Sequence, residues 1–335
     1  MRYIQSNEFK KLIEDNNKFV LNCHISPDLD SVASVCAMSQ YLKSIDKEFD
    51  IISTDVIPES YKYLPYADKI IQTKFEDIEF SKYDCWISLD SERLNQTGLS
   101  FKPKINIINI DHHPKNDIEG TVNVVNIESS STCELLFELF NDIDFKIDKT
   151  LATTLLSGVV YDTNFFQQKN TTAVTHFVAY KLMELGADNN YINFKVKRSN
   201  SIGVIKLWGE FNKRLKFDKR YNFVWTAIPY KVYSKNLEDV SSTAEYSNMI
   251  ARTVVGSKFS MVMSEKLPNN LTMSIRSRVP GFDVSLIAQE MDGGGHKDAS
   301  GAVVKGLPFK EAVKVALKYA RKHAKQNFVP EIPLD

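Results

Sequence analysis

Short apolar runs alternate with segments of helical period through the first half of the chain. "KFVLNC" (18–23), "FDIIS" (49–53), "YDCWISLD" (83–90), "KINIINID" (104–111) and "TVNVVN" (121–126) read as strands. Within the fourth, "INIINI" is apolar and β-branched, as a parallel strand buried on both faces should be. "SVASVCAMSQYLKSI" (31–45) keeps small and apolar residues on one helical face, and further helical patterns cover about 131–141, 148–160 and 171–186. This alternation predicts an α/β fold with a mostly parallel sheet sandwiched by helices.

The pattern changes after residue 187. The stretch 188–217 is long, mixed and partly helical, and reads as a helical connector. Strands then follow near 221–229, 258–265 and 271–277, with a helix near 283–291. The Gly-rich turn "DGGGHKDASG" leads to a strand near 301–305 and an amphipathic helix over 308–326. The expected layout is a first domain over 1–187 and a smaller α/β C-terminal domain over 218–335, across a cleft. A length of 335 residues also favours two domains over one. There are no internal repeats.

Charge and cysteine usage narrow the function classes. Lys plus Arg and Asp plus Glu balance at 42 each, so the formal net charge is zero. A protein that grips long nucleic acid by its backbone is usually basic, so long duplex DNA is not an expected partner. Any polyanion handled here should be short, or be met by a local basic patch. The four cysteines, Cys23, Cys36, Cys85 and Cys133, form no CxxC pair, and reduced thiols in a cytoplasmic protein are the simple reading. "MRYIQSNEFKKL" has no signal-peptide apolar core, and no apolar run reaches membrane-spanning length.

Potential ligands collect at the carboxyl ends of the strands, where open α/β sheets bind their ligands. "HISPDLDS" carries His24, Asp28 and Asp30; "CWISLD" ends in Asp90; "INIINIDHH" ends in Asp111, His112 and His113. Asp162, in "SGVVYDTNFF", follows an apolar helical run. Taken singly, each Asp suits a turn, and Asp28, Asp30 or Ser31 suits a helix cap. Taken together, the carboxylates would repel each other strongly unless cations sit among them. A set of carboxylate and imidazole without thiolate suits Mn²⁺, and also Mg²⁺ or Fe²⁺, with Zn²⁺ and Co²⁺ able to substitute. The number of ligands is enough for two divalent ions sharing a bridging acid. Two such ions about 3.5–4 Å apart clamp the oxygens of a phosphoryl displacement.

With "DHH" at 111–113 and the other motifs in order around it, the chain resembles the DHH phosphoesterase family. "DGGGHK", with Gly293, Gly294, Gly295 and His296, resembles the hallmark of the DHH-associated C-terminal domain. The resemblance implies one ion held by His24, Asp28 and Asp90, and another by Asp30, Asp90, His112 and Asp162. It makes Asp111 a support for a neighbouring ligand, and His113 the group that meets the scissile phosphate. The nucleophile is then a water held between the metals. It assigns nucleotide binding to Arg276 in "SIRSR" and to the GGGH turn. Arg278 reads equally well as a solvated surface charge, and the basic "KVKR" (195–198) as a solvated helix face rather than a cleft lining. Leu29, Asn164 and Ser300 depart from the family pattern without removing a ligand.

The two-domain length is similar to the oligoribonuclease (nanoRNase), 3′-phosphoadenosine-5′-phosphate (pAp) phosphatase and pApA phosphodiesterase group. The expected substrate is a dinucleotide or a two- to five-nucleotide RNA, with cyclic di-AMP and pAp as further candidates and a homodimer as one association state. An inorganic pyrophosphatase or polyphosphatase of the same superfamily is the enzymatic alternative. A catalytically inactive nucleotide-sensing module is the other, and the complete ligand set argues against it.

Overall fold

The computed structural model describes residues 5–114, 116–198, 201–236, 242–249 and 251–325. The chain divides into two units, residues 1–199 and 200–335.

In the first unit, six strands pair side by side: β1 (Lys18–Asn22), β2 (Glu48–Ser53), β3 (Ile71–Gln72), β4 (Cys85–Leu89), β5 (Asn106–Asp111) and β6 (Val122–Val125). Their order is β3-β2-β1-β4-β5-β6, and every pairing is parallel. Alternate residues explain the two-sided burial. Phe19, Leu21, Cys85, Ile87 and Leu89 enter the larger core. Val20, Trp86 and Ile107 point the other way, onto Phe75, Phe80 and Leu99 from the short 3₁₀ turns and loops between β3 and β5. The expected strands are present, and β3 is the one that the hydrophobic pattern misses.

The larger core is built against α1 (Gln5–Asp15), α2 (Leu29–Ser44), α3 (Thr132–Asp142), α4 (Lys149–Asp162), α5 (Ala173–Glu184) and α6 (Asn189–Lys197). Helix α2 is buried on nearly all sides, which is why its small residues recur all around it. It begins at Leu29, two residues before the expected start, because the Asp28 side chain accepts from Ser31 N at 3.0 Å and caps it. Leu29 itself is fully buried in the core.

The stretch 188–217 is divided between the units. Helix α6 packs on α4 in the first. Helix α7 (Ile202–Lys213) and β7 (Lys216–Asp218) open the second. There they are joined by β8 (Phe223–Ile228), α8 (Tyr230–Tyr233), α9 (Ser242–Met249), β9 (Phe259–Leu267), β10 (Asn270–Ser277), α10 (Ser285–Gln289), β11 (Gly294–Gly295), β12 (Ala299–Lys305) and α11 (Phe309–Ala324). The sheet order is β11-β12-β10-β9-β8-β7, with β8 and β9 parallel and the other pairs antiparallel.

One face of this second sheet, with Phe259, Met261, Met263, Leu271, Met273 and Ile275, packs against α10 and α11. Helix α11 meets it with Ala312, Val313, Ala316, Leu317 and Ala320, the stripe expected of an amphipathic helix. The opposite face is partly polar, and α9 crosses it, bonding Thr243 to Ser264 at 3.1 Å. Among the described residues, no helix is long and apolar enough to cross a membrane.

Candidate metal centre

Strands β1 and β4 are neighbours in the first sheet, and the strand order runs outward from them in both directions. A crevice opens beyond the carboxyl ends of such a pair. Four segments reach it. His24 follows β1, and Asp28 and Asp30 stand at the start of α2. Asp90 follows β4, Asp111 ends β5, and His112 and His113 come next. Asp162 is the last residue of α4, which packs along α2.

The side chains meet at spacings that suit shared cations. His24 Nε2 lies 3.8 Å from Asp28 Oδ1 and 3.7 Å from Asp90 Oδ2. His112 Nε2 lies 3.5 Å from both Asp90 Oδ1 and Asp162 Oδ2. These gaps are longer than charge-assisted hydrogen bonds. They are close to the separation, about 3.0–3.5 Å, between adjacent ligands that each sit roughly 2.1 Å from one ion. His24, Asp28 and Asp90 form one group able to hold a cation; Asp30, His112 and Asp162 form a second; Asp90, His112 and His113 form a third. Asp90 faces both sides, one oxygen to His24 and the other to His112.

The imidazoles are held in the orientation that ligation needs. His24 Nδ1 faces Ile25 O at 2.8 Å, and His112 Nδ1 faces Ser129 O at 3.2 Å. A carbonyl can only accept, so each Nδ1 carries a proton and each Nε2 is the nitrogen turned toward the carboxylates, where a cation would sit. His113 differs. Its Nδ1 is 2.7 Å from Asp111 Oδ1, on a carboxylate wholly out of solvent.

The acids are fixed just as closely. The first N–H groups of α3 hold Asp30, Thr132 N at 2.7 Å from Oδ2 and Cys133 N at 3.2 Å from Oδ1. A helix N-terminus favours negative charge there. The Thr132 hydroxyl also donates to Asp90 Oδ1 at 3.0 Å. Gly158 lets α4 approach: a Cβ on it would collide with the Asp30 carboxylate and the Cys133 sulfur. Backbone strain accumulates here too. Asp90 has φ +57°, and Asn164, Phe165 and Phe166, just past Asp162, have φ of 45°, 60° and 63°. Left-handed backbone costs a non-glycine residue about 1–2 kcal/mol. Asn164 tolerates it better than the phenylalanines. Thr132 and Gly158 were not singled out from sequence. The Ser/Thr run before α3 marks a helix start, but no local signal ties it to an acid 102 residues away.

Without cations the site balances its charge with protons. Burial works against the charged form of His24, but the nearby Asp28 carboxylate, with Asp90 beside it, raises its pKa to about 10. Burial likewise opposes the charge on His112, yet Asp90, Asp162 and Asp30 push it well above the ordinary value. His113 rises to about 8, against burial, chiefly through Asp111. Burial and the neighbouring carboxylates of Asp28 and Asp90 raise Asp162 to about 7. Burial, then Asp90 and Asp162, raises Asp30 as well. Asp90 is also penalised by burial, but the close His112 imidazolium, with those of His24 and His113, holds its carboxyl well below the usual range. Acids and imidazoles sharing protons so tightly, on donors already aimed, are a fitting cradle for divalent cations.

Comparison with known proteins identifies the architecture. The model of the DHH family, N-terminal domain, matches residues 18–159, and that of the DHHA1 domain matches residues 231–326. The chain belongs to the DHH family of phosphoesterases. Across 89% of its length it is 26% identical to the bifunctional oligoribonuclease and PAP phosphatase NrnA of Thermus thermophilus, covering 87% of that protein. It is 23% identical to the NrnA of Bacillus subtilis, over 89% of this chain and 92% of that one. A crystal structure of an exopolyphosphatase-related protein from Bacteroides fragilis superposes with a TM-score of 0.87, at 26% identity and 96% coverage of both chains. The Mn²⁺ complex of Thermus thermophilus RecJ shares the fold, with a TM-score of 0.58 at 10% identity over 97% of this chain and 55% of that one.

In the DHHA1 unit the candidate residues are spread more loosely. Arg276, Gly294 and Gly295 line a cavity of about 350 Å³ together with Thr243, Lys266 and Ser274. Arg276 is aimed by Asn248, whose Oδ1 accepts from Nε at 2.7 Å, and by the carbonyl oxygens of Ile275 and Ser300 at 3.0 and 3.4 Å. Gly293 lines a neighbouring cavity, and a Cβ there would strike the backbone of Gly301. His296 is exposed on the turn, whose backbone closes on Ala299. Arg278 does not line the Arg276 cavity; its guanidinium reaches Ser257 O at 3.5 Å. Ser300 is buried and donates to Val284 O at 2.9 Å. In "KVKR", Lys197 lies over the Phe165 ring, 3.4 Å from its centroid.

Proposed function

We propose that this DHH phosphoesterase hydrolyses very short 5′-phosphorylated oligonucleotides, pApA and RNAs of two to five nucleotides, to 5′-mononucleotides. The observation that carries the reading is the sharing of Asp90 between two groups able to hold cations, at the carboxyl edge of β1 and β4. The relatives named oligoribonuclease and PAP phosphatase support the substrate class.

His24, Asp28 and Asp90 would hold one divalent cation, and Asp30, Asp90, His112 and Asp162 the other, with Mn²⁺ the best match to the donor set. Bound there, the cations supply positive charge to the scissile phosphate and acidify the attacking water. The chain's own residues do the rest. Asp111 holds the His113 ring so that it faces the phosphate and offsets charge building on its oxygens. Arg276 supplies forked donors for a nucleotide phosphate or base edge, and the backbone N–H groups of the Gly293–Gly295 turn supply an anion nest. Zero net charge and few phosphate contacts favour short substrates over long strands.

The decisive test is turnover, with Mn²⁺, of a matched panel: pApA, a five-nucleotide RNA, a long single strand, cyclic di-AMP, pAp, pyrophosphate and polyphosphate. The proposal expects pApA and the short RNA to outpace the rest. Fastest turnover of pyrophosphate or polyphosphate would replace it with the alternative in the same superfamily. Full activity in chelator would remove the metal-dependent mechanism altogether.

A further inference from the structure

The loop behind His113 carries a line of side chains that no cation needs. Asn116 Nδ2 donates to Asp111 Oδ2 at 2.7 Å, while the other oxygen of that carboxylate accepts from His113 Nδ1 at 2.7 Å. Asn116 Oδ1 accepts from Ile118 N and from Asn109 Nδ2, each at 2.9 Å. Those two donors settle which end of the Asn116 amide is the oxygen, so its NH₂ group must face the carboxylate. Asn109, on β5, also donates to Ile118 O at 2.8 Å. The sequence Asn109, Asn116, Asp111, His113 is therefore one continuous chain of hydrogen bonds from the sheet to the site.

The chain matters because His113 has two jobs within reach. Its Nδ1 lies 2.7 Å from Asp111 Oδ1 and 4.0 Å from Asp90 Oδ1. Asp90, His112 and His113 are close enough to hold a cation together. With Nδ1–H given to Asp111, Nδ1 has no lone pair for a metal, and Nε2 is the nitrogen left to face a phosphate, donating to it once the ring takes a second proton. If Asp111 turned away, Nδ1 would be left facing Asp90 Oδ1, 4.0 Å off, in the group that Asp90, His112 and His113 form as potential ligands of one cation. We propose that Asn116 is a positioning residue: by orienting Asp111 it keeps His113 out of the metal shell and assigns it to the substrate phosphate. This rests on the phosphodiesterase reading above, in which His113 meets that phosphate.

Asn116→Asp separates positioning from loop structure. It is nearly isosteric and keeps the oxygen used by Ile118 N and Asn109, but it loses the donor to Asp111 and the longer bond to Ser91 O at 3.3 Å. Three readouts are taken: kinetics on pApA with Mn²⁺, the number of Mn²⁺ bound with the melting temperature, and the imidazole ¹⁵N shifts of His113 in Mg²⁺-loaded protein. The His113 signals are identified by their loss in His113→Gln. The variant should melt and bind metal like the wild type, with kcat down roughly ten- to a hundredfold, KM within about twofold, and the single Nδ1–H tautomer of His113 lost. If two facing carboxylates unfold the loop, Asn116→Ala is read in the same way. A folded variant with wild-type kcat and an unchanged tautomer overturns the proposal. So does a loss of rate that only follows a loss of stability. If wild type hydrolyses pApA and His113→Gln does so equally fast, the role given to His113 is what fails. If wild type turns over no member of the panel, the function reading fails, and the tautomer shift still decides the case of Asn116.

Discussion

The two units treat their polar residues in opposite ways. In the first, most candidate ligands are held by something else: Asp28 by Ser31 N, Asp30 by the start of α3, Asp90 by Thr132, His24 and His112 by carbonyl oxygens, and His113 beside them by Asp111. In the second, Arg276 is aimed, but the glycine turn and His296 stand exposed on a two-residue strand and its loop. On the proposed function, the contrast follows from what each would hold. A cation sits among buried like charges, so its ligands must be placed before it arrives. A nucleotide brings its own hydrogen-bonding groups and needs open donors that can close on it.

Removing the acid that faces both cation groups should break the first unit's side of this comparison most severely. Asp90→Ala is expected to lose more activity than the roughly ten- to hundredfold typical of an outer-shell partner, and to fall below detection. Calorimetric titration with Mn²⁺ should show at least one site gone. Wild-type rate and metal content in this variant would sink the assignment of Asp90 as the shared ligand.

Gly158→Ala tests pre-placement without touching a ligand. The new methyl group would displace the Asp30 carboxylate or Cys133, since both occupy its space. We expect Mn²⁺ affinity to fall roughly ten- to a hundredfold, by analogy with other changes that disturb ligand orientation. Unchanged affinity in a folded variant would mean that the helices shift apart and the ligands move with them.

Arg276→Ala sharpens the contrast from the other side. Metal binding should be intact, because the cation groups lie wholly in the first unit. Hydrolysis of pApA should drop about ten- to a hundredfold in kcat/KM, the size of one charge-assisted hydrogen bond of about 1.5–3 kcal/mol. His296→Ala should act in the same direction. A small artificial phosphodiester without a nucleoside should be much less affected. Equal losses on both substrates would make the second unit's residues structural.

The two units also differ in how much of them the sequence discloses. Strand β5 and its DHH end are plain, because a parallel strand buried on both faces must be a continuous apolar run. Motif order then locates the acids, since each follows a strand or helix end that the periodicity already marks. Strand β3 is invisible by the same logic. Ile71 and Gln72 are both exposed, and they are strand only because their backbones pair with Ile52 and Ser53. Helices α8 and α9 escaped notice for a related reason: eight residues or fewer give too little period to read. The reach of Thr132 to Asp30 and Asp90 depends on tertiary placement alone. The cap is the instructive case. Asp28 suits both a helix cap and a metal ligand, and the structure shows it capping α2 while standing 3.8 Å from His24, so the two readings were never exclusive.

The smallest expected effect is a pH dependence that belongs to the first unit alone. In the metal-free protein the folded-state pKa of His24 is raised to about 10, through Asp28 and Asp90 and against burial. That of His113 is raised to about 8, through Asp111 and again against burial. Each contributes stability in full below the ordinary histidine value, and loses it as pH rises toward the folded value. Asp162, raised to about 7 by burial and by Asp28 and Asp90, has the same sign: its fold favours the protonated form, so stability declines up to about pH 7. Asp90 is held low by His112 and the imidazolium charges in spite of burial, and its contribution changes only in strong acid. From pH 6 to 8.5 the metal-free first unit should therefore weaken. Bound Mn²⁺ takes the place of the shared protons and removes that loss. The gap in melting temperature between Mn²⁺-loaded and chelator-stripped protein should widen by a few degrees across this window, at about 2–4 °C per kcal/mol for a unit of this size. Scanning calorimetry at three pH values measures it, with Asp90→Ala as the control that should show little gap at any pH. A gap that narrows as pH rises would mean that protons and cations do not compete for these side chains.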